Sequence, residues 1–173
     1  LFLEKHIIKA FDKYYPWSKN DLNKSSKIKG MPSFRLYTSN KKLIKSNQFG
    51  DIMWIATTKG RYKTYIESDI CGPPMLDYFN QQEKFYKKLN KNVKEILVWR
   101  YFNDPWNDLE RIKDITNNIK VQFGSKKQFW KNSDFLESLQ KCRLAIHTAN
   151  ETTYLEALSS NFPSIVFWDK KFY

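Results

Sequence analysis

The stretch that decides the fold runs from residue 142 to residue 168 and reads CRLAIHTANETTYLEALSSNFPSIVFW. An apolar run of strand length, Arg143 to His147, leads through a short polar loop to apolar residues at helical spacing from Thr152 to Ser160. After an Asn-Phe-Pro turn, a second apolar run extends from Ser164 to Trp168. A strand, a helix and a strand in this order predict a βαβ unit, whose two strands lie parallel in one sheet.

The same alternation extends back to residue 51. It predicts three further strands and three further helices: strands Ile52–Ala56, Glu95–Trp99 and Ile119–Phe123, and helices Met75–Leu89, Asp108–Ile115 and Ser133–Gln140. Short, nearly continuous apolar strands separated by helices are typical of a parallel sheet buried on both faces. Because crossovers are right-handed, we predict a doubly wound, Rossmann-like α/β sheet with the strand order 3-2-1-4-5. This domain is expected to span residues 50–173 and to lack its closing helices.

The first 49 residues follow a different pattern. An amphipathic helix is predicted from about Phe2 to Tyr15, ended by Pro16, and a polar, lysine-rich loop from Ser18 to Gly30. A short strand is predicted within Met31–Tyr37, and the residues from there to Gly50 are again polar. We interpret this segment as a helical and loop extension, the tail end of a preceding, acceptor-side domain with its linker.

Composition bounds the class of protein. The chain has 173 residues, which suits one domain, and its 41% hydrophobic content argues against disorder. No run approaches the roughly 20 apolar residues of a membrane-spanning helix, and charge follows Leu1-Phe2-Leu3 at once, so no secretory signal is visible. Cys71 and Cys142 lack the paired spacing of a metal site, and we interpret them as free thiols of a reducing compartment. We therefore expect a cytoplasmic protein, with peripheral contact to the inner membrane as a further expectation.

The net charge is +12, from 30 Lys and Arg against 18 Asp and Glu. Such a balance favours anionic partners: nucleotides, nucleic acid or the inner face of a membrane. An AT-rich genome, which also enriches Asn, Ile, Phe and Tyr, explains the excess equally well, since the lysines are scattered along the chain.

Two loops are expected to meet where the strand order reverses, beyond the carboxyl ends of the first and fourth strands. The first loop, after Ala56, offers Thr57, Thr58 and Arg61. The second supplies a loop and the start of a helix, where free backbone N–H groups suit a phosphate; its candidate residues are Thr148, Asn150, Glu151, Thr152 and Thr153. The alternative is simple helix capping by Asn150 or Thr152.

Three further side chains are ambiguous. Arg100 follows the second predicted strand at the same edge of the sheet. We expect it either to contact an anionic ligand or to form a surface ion pair with Asp104 or Asp108. His147 ends the fourth strand as a ligand-contacting residue or as a structural hydrogen-bonding residue. Glu156, early in the following helix, faces a sugar hydroxyl or is a solvated carboxylate.

Several motifs are absent from the sequence. It has no GxGxxG after the first strand, no phosphate-loop lysine, no GxSxG and no HExxH, so we expect no organic cofactor and no metal. A contiguous basic stripe is also missing, which disfavours nucleic-acid binding.

Residues 142–168 resemble a signature of GT-B glycosyltransferases: a strand, a loop of small residues, a helix with Glu-Ala-Leu, and an Asn-x-Pro turn into the next strand. More specifically, the chain is similar to transferases of bacterial surface-carbohydrate biosynthesis first noted in spirochaetes. Their pattern is matched at Thr153–Glu156, Asn161–Pro163 and Phe167-Trp168, with weaker agreement at Leu97–Tyr101 and Arg61-Tyr62. The resemblance covers about Gly50 to Tyr173.

The resemblance implies a two-domain enzyme whose C-terminal, donor-binding half is this chain. Glu156 would then bind the donor ribose hydroxyls, residues 148–153 would cradle the diphosphate without the family's loop glycine, and Arg61 would stabilise the leaving nucleoside diphosphate. The implied partners are a nucleotide-sugar donor and a glycan or lipid-linked acceptor, with no nucleic acid. No catalytic base is identified, and the chain alone is expected to be inactive.

Two other functions are left open by the sequence. The same fold serves nucleotide-sugar 2-epimerases and polyol-phosphate transferases, which differ in their products. A non-enzymatic, basic nucleic-acid-binding module is the second alternative, and it predicts binding with a steep salt dependence.

Overall fold

The structure is a computed structural model, and it describes residues 6, 8–16, 25–34, 36–37, 44–57, 74–101, 111, 114–116, 120–123 and 133–169. Five strands are present in this part of the chain: β1 (Asp51–Ile55), β2 (Leu97–Tyr101), β3 (Lys120–Phe123), β4 (Cys142–His147) and β5 (Ser164–Val166). The helices around them are α1 (Pro74–Lys88), α2 (Lys91–Glu95), α3 (Ser133–Gln140) and α4 (Thr152–Ser159).

All five strands form one parallel sheet in the order β3-β2-β1-β4-β5. β1, β2 and β3 follow one another from the centre of the sheet to one edge. The chain then crosses back, and β4 pairs with the other side of β1. The predicted α/β fold and its strand order are therefore confirmed, and the order reverses between β1 and β4.

One face of the sheet is covered by α3 and α4. β1 directs Met53 and Ile55 to this face, where they belong to a cluster of buried apolar residues with both helices. The other members of the cluster are Ile44, Phe135, Leu136, Leu139, Cys142, Ala145, Ala157 and Phe162. We call this side the α4 face.

The opposite face, covered by α1, is aromatic. Trp54 of β1 is fully buried and stacks on Trp99 of β2 with ring centroids 4.5 Å apart, while Phe85 of α1 meets it edge-on at 5.1 Å. The Trp54 indole N–H donates to Gln82 Oε1 at 2.8 Å, which satisfies its one polar atom. We call this side the α1 face.

Residues 44–50 pack onto the sheet domain. The Ile44 N–H donates to Ser160 O at 3.2 Å, and the Asn47 N–H donates to Cys142 O at 2.9 Å. Gly50 precedes β1 at a close approach, since a Cβ there would overlap the carbonyl oxygen of Lys141. The predicted domain boundary between residues 49 and 50 stays a prediction.

Within the sheet domain, three predicted strand boundaries were wrong by two residues. Glu95 ends helix α2 and is not part of a strand, because the Asn90 side chain caps this short helix by accepting a hydrogen bond from Asn92 N at 3.0 Å. β5 ends at Val166, two residues before the predicted end at Trp168. β2 ends at Tyr101, two residues after the predicted end at Trp99. The remaining boundaries that fall on described residues agree within one residue.

The N-terminal predictions need two corrections. Residues 6 and 8–10 are helical, but the helix does not continue to Tyr15, because Tyr14 forms a parallel bridge with Ile28. The predicted strand near residue 34 is instead a helical turn, in which Tyr37 N donates to Ser33 O at 2.9 Å and the Ser33 hydroxyl accepts from Leu36 N at 3.4 Å. No helix of the described residues is long and apolar enough to cross a membrane.

Candidate functional site

The candidate site lies at the carboxyl ends of β2, β1 and β4. Ile55 at the end of β1 is in register with Arg100 of β2 on one side and with His147 of β4 on the other. The chain after His147 turns over this edge and starts α4 at Thr152. The expected meeting of the first and fourth strands at the reversal point is thus present.

A chain of hydrogen bonds joins the two loops that leave β1 and β4. Thr148 Oγ1 donates to Ile55 O at 2.8 Å. That bond uses the only hydroxyl proton of Thr148, so the Tyr78 hydroxyl, 2.7 Å away, must donate to Thr148 Oγ1. The Tyr78 oxygen in turn accepts the Thr57 N–H at 3.2 Å. Tyr78 of α1 therefore positions both loops with a single hydroxyl group.

Thr57, Thr148 and Tyr78 are all buried, at 3%, 1% and 1% exposure. The Thr148 backbone N–H also donates to Ile55 O, at 3.3 Å. Thr148 is thus held inside the fold by its side chain and its main chain. Sequence reasoning missed Tyr78, because its partners lie 21 and 70 residues away along the chain.

The ring of His147 is buried at 1% exposure, and within the described part of the chain neither ring nitrogen has a hydrogen-bond partner. Burial lowers the pKa of His147 to about 4, so the imidazole is neutral near pH 7. Tyr154, in the first turn of α4, packs edge-on against it with ring centroids 6.3 Å apart. Trp168 also packs against Tyr154, with ring centroids 5.3 Å apart.

Arg100 extends along the α4 face toward α3. Its Nη1 donates to Ser138 Oγ at 3.3 Å, and its guanidinium lies 5.6 Å from the centre of the Phe135 ring, a cation–π distance. Its exposure is 8%. The alternative partners Asp104 and Asp108 lie outside the described residues.

The start of α4 is partly exposed to solvent. The N-cap residue is Glu151, in an extended conformation, and its side chain makes no capping hydrogen bond. Asn150 and Thr152 are exposed, and Thr153 is half-buried. The first turn of this helix therefore carries amide and hydroxyl side chains at its surface, next to the positive end of the helix dipole.

Glu156 lies on the inner side of α4 and is 1% exposed. It is next to Ala157, which packs in the core of the α4 face. The alternative reading of Glu156 as a solvated helix carboxylate is thus wrong, while its predicted ribose contact stays a prediction. Buried carboxylates are uncommon unless a specific interaction holds them, so this position is not an ordinary surface site.

A narrow apolar pocket lies against Tyr78 on the α1 face, separate from the start of α4. Its walls are formed by Ala56, Thr57, Tyr78, Phe79, Gln82, Glu83, Trp99, Tyr101 and Ile115. Among the described residues, no three His, Cys, Asp or Glu side chains are grouped so as to hold a metal ion.

The structure thus brings together Thr57, Arg100, His147 and Thr148 at the sheet edge, with residues 150–153 above them. The predicted site residues Thr58 and Arg61 lie outside the part of the chain that the structure describes.

One family model matches the chain. It is described as LIC12162 family transferase, and it matches residues 1–173, including the first 49 residues that the resemblance in the sequence did not cover. No curated protein and no solved structure matches the chain.

Proposed function

Because the chain belongs to the LIC12162 family of transferases, we propose that it takes part in sugar transfer from a nucleotide-sugar donor. In this proposal the donor binds at the carboxyl ends of β1 and β4, as it would in the second domain of a GT-B enzyme. The product is a surface polysaccharide or its lipid-linked precursor, made at the cytoplasmic face of the inner membrane.

The observation that carries the proposal is the start of α4 directly above His147. Helix N-termini at the reversal point of a parallel sheet bind phosphate groups through backbone N–H groups and the helix dipole. Here a buried imidazole that has no hydrogen-bond partner among the described residues lies beneath the first turn of α4. Its ring nitrogens suit a polar ligand that arrives from outside.

The proposed roles follow from position. The backbone at residues 150–153 holds the diphosphate, with Asn150 and Thr152 as exposed hydrogen-bonding side chains. Thr58 and Arg61 of the first loop complete the phosphate contacts, and Arg61 stabilises charge on the leaving group. Glu156 takes the ribose hydroxyls, which requires the ligand to reach a carboxylate that is 1% exposed.

The first experiment is a thermal-shift screen of the chain against UDP, GDP, CDP, CMP and a short DNA duplex. A ligand whose free concentration is one hundred times its dissociation constant raises the free energy of unfolding by about 2.7 kcal/mol. Stabilisation by one nucleotide supports the proposal and identifies the base. Stabilisation by the duplex alone would favour the basic nucleic-acid-binding module instead.

The variant Thr152→Glu separates binding from folding. A carboxylate in the first turn of α4 interacts favourably with the positive end of the helix dipole, so the variant should keep its stability. The same carboxylate repels a phosphate bound there. We expect it to abolish the nucleotide-induced shift. Leu158→Glu adds the same charge to an exposed position in the last turn of α4 and should keep the shift.

Analysis of the products distinguishes the transferase from its relatives of similar fold. An enzyme that joins this chain to the acceptor-side domain implied by the resemblance should give a labelled glycan when it is incubated with a labelled nucleotide sugar and a glycan acceptor. Free epimerised sugar would indicate a 2-epimerase, and a labelled polyol phosphate would indicate a polyol-phosphate transferase.

A further inference from the structure

The positive charge of the chain is concentrated at its N-terminal end. The first 49 residues contain 11 Lys and Arg against 3 Asp and Glu, whereas residues 50–173 contain 19 against 15. A compositional bias of the genome acts on the whole chain, so it does not explain an excess that is concentrated in one segment. The asymmetry instead indicates that this segment has an anionic partner of its own.

The exposed aromatic side chains are concentrated in the same segment. Within the described residues, every aromatic side chain that is largely exposed lies between residues 11 and 49; these are Phe11 (58%), Tyr15 (45%), Phe34 (71%), Tyr37 (56%) and Phe49 (91%). The described aromatic side chains of the sheet domain are buried or half-buried, as the stacked Trp54 and Trp99 are. Single exposed apolar residues are ordinary, but a group of them in one basic segment is typical of a binding surface.

Backbone hydrogen bonds hold residues 11–16 beside residues 27–31. The Tyr14 N–H donates to Lys27 O, and the Lys29 N–H donates to Tyr14 O, both at 2.9 Å. The helical turn described above follows directly after the second of these stretches. We call the described residues between 11 and 37 the N-terminal unit. It brings together side chains that are distant along the chain.

Lysines and aromatic rings occur together at the surface of the N-terminal unit. Lys13 and Tyr15 are exposed on one of the paired stretches, and Lys29 is exposed on the other. Phe34 is exposed on the helical turn that follows. Ammonium groups attract the phosphates of anionic lipids, and aromatic rings favour the interface between headgroups and acyl chains. This pairing of groups suits the surface of a bilayer.

The kind of basic residue also separates a lipid surface from a nucleic acid. Ten of the 11 basic residues among the first 49 are lysine. A lysine is a point charge that attracts any phosphate, whereas the bidentate hydrogen bonding that reads bases is a property of arginine. The segment therefore has the charge that headgroups need, without the side chains typical of base recognition.

We propose that the N-terminal unit binds the surface of a bilayer that contains anionic phospholipids. The ammonium groups of Lys13 and Lys29 lie at lipid phosphates, and the rings of Phe11 and Phe34 enter the interfacial region. This inference goes beyond the proposed function, because the lipid contact is made outside the sheet domain and needs no nucleotide.

Vesicle flotation of the 173-residue chain is the direct test. Vesicles of phosphatidylcholine alone are compared with vesicles of phosphatidylcholine mixed with the anionic phosphatidylglycerol. We expect the chain to float with the mixed vesicles, to stay behind with the neutral ones, and to bind more weakly as salt is added. A chain that does not bind the mixed vesicles at low salt would overturn the proposal.

A pair of charge variants shows whether the N-terminal unit makes the contact. A lysine at an anionic surface contributes about fivefold to binding, so Lys13→Gln combined with Lys29→Gln should weaken vesicle binding by about 25-fold. Lys84→Gln combined with Lys88→Gln removes the same charge from exposed positions of α1 and should bind nearly as the natural chain does. An equal loss in the two pairs would show that only the net charge matters, which contradicts a specific surface.

A second pair of variants tests the aromatic contribution. Phe34→Ser removes an exposed ring from the N-terminal unit and should weaken binding to the mixed vesicles by about fivefold or more. Leu76→Ser, at a 60% exposed position of α1, should leave it unchanged. Both side chains are exposed, so equal thermal unfolding midpoints of the two variants exclude misfolding as the cause. Unchanged binding of Phe34→Ser would contradict insertion of the ring.

A short DNA duplex is the alternative anionic partner. Binding to the duplex without binding to the mixed vesicles would assign the basic segment to nucleic acid and overturn the lipid contact. The two proposals also fail separately. The flotation assay contains no nucleotide, so a failure there leaves the donor site untouched, and a missing nucleotide-induced thermal shift leaves the lipid contact untouched.

Discussion

The Tyr78 hydroxyl lies 2.7 Å from Thr148 Oγ1, although the two residues are 70 positions apart in the sequence. Through this contact helix α1 holds the loop that leads from β4 to α4, and through the Thr57 N–H it holds the loop that follows β1. The loops at the reversal point are therefore fixed from the α1 face of the sheet, while the proposed ligand site is on the α4 face.

Removing the Tyr78 hydroxyl should lower the free energy of unfolding. Tyr78→Phe leaves the buried Thr57 N–H and Thr148 Oγ1 without this partner, so we expect the free energy of unfolding to fall by about 1–3 kcal/mol. Urea denaturation monitored by tryptophan fluorescence measures this change.

Variants of Thr148 show whether the contact itself is responsible. Thr148→Ser keeps the hydroxyl and should retain most of the stability, whereas Thr148→Val should lose it. The double variant Tyr78→Phe with Thr148→Val should be less destabilised than the sum of the two single changes. Full additivity would show that the two residues act independently.

Gly50 should not tolerate a side chain. The added methyl group of Gly50→Ala would overlap the backbone carbonyl oxygen of Lys141, so β1 and the turn before β4 must separate. We expect a loss of about 1–3 kcal/mol in unfolding free energy. Phe49→Ala is the control at the adjacent position, since Phe49 is 91% exposed and its truncation should change stability by no more than about 0.5 kcal/mol. Equal stability of the two variants would contradict the close approach.

Acid should destabilise the fold through His147. Its pKa is about 4 in the folded state against 6.5 for an ordinary histidine, so the unfolded chain binds more protons between these pH values. The stabilisation is fully present above pH 6.5 and is lost as the pH falls toward 4. From pH 7.5 to pH 5 we expect this group to remove about 2 kcal/mol of unfolding free energy.

His147→Gln isolates this contribution. The variant keeps every other titrating group, so its stability should fall less steeply over the same pH range in urea titrations. Parallel pH profiles for the two proteins would show that the His147 ring is not held neutral in the fold.

Cys142 should be chemically inert in the native protein. Burial, with a smaller contribution from the negative charge of Asp51, raises the pKa of its thiol to about 11, and Sγ donates to Ser138 O at 3.4 Å. In a Cys71→Ser background we expect a thiol reagent at pH 8 to react more than about a hundredfold more slowly than with an exposed cysteine. The same variant in guanidinium chloride should react at the full rate, and rapid labelling of the native form would contradict the burial.

The sequence predicted the sheet well because its signals are local or topological. Apolar runs such as Ile52–Ala56 mark buried strands, and the right-handed crossover rule converts their order along the chain into their order in space. The errors arose where side-chain hydrogen bonds decide the backbone: the Asn90 cap extended a helix through Glu95, and pairing with Ile28 ended the first helix before Tyr14.

The candidate site was predictable in place but not in detail. Positions after Ala56 and His147 follow from the ends of two strands, so the meeting of their loops could be inferred. The orientation of each side chain could not, because it depends on distant partners. Thr148 turns inward to Ile55 and Tyr78, and Glu156 is covered when α4 packs on the sheet.

The position of β1 at the centre of the sheet also sets an order of events during synthesis. β1 has β2 on one side, but its other neighbour begins only at Cys142. At ribosomal rates of 5–20 residues per second, the chain between Ile55 and Cys142 takes roughly 4–17 s to emerge. Throughout that interval one edge of this apolar strand lacks its partner, so the nascent chain is exposed to aggregation until β4 has been translated.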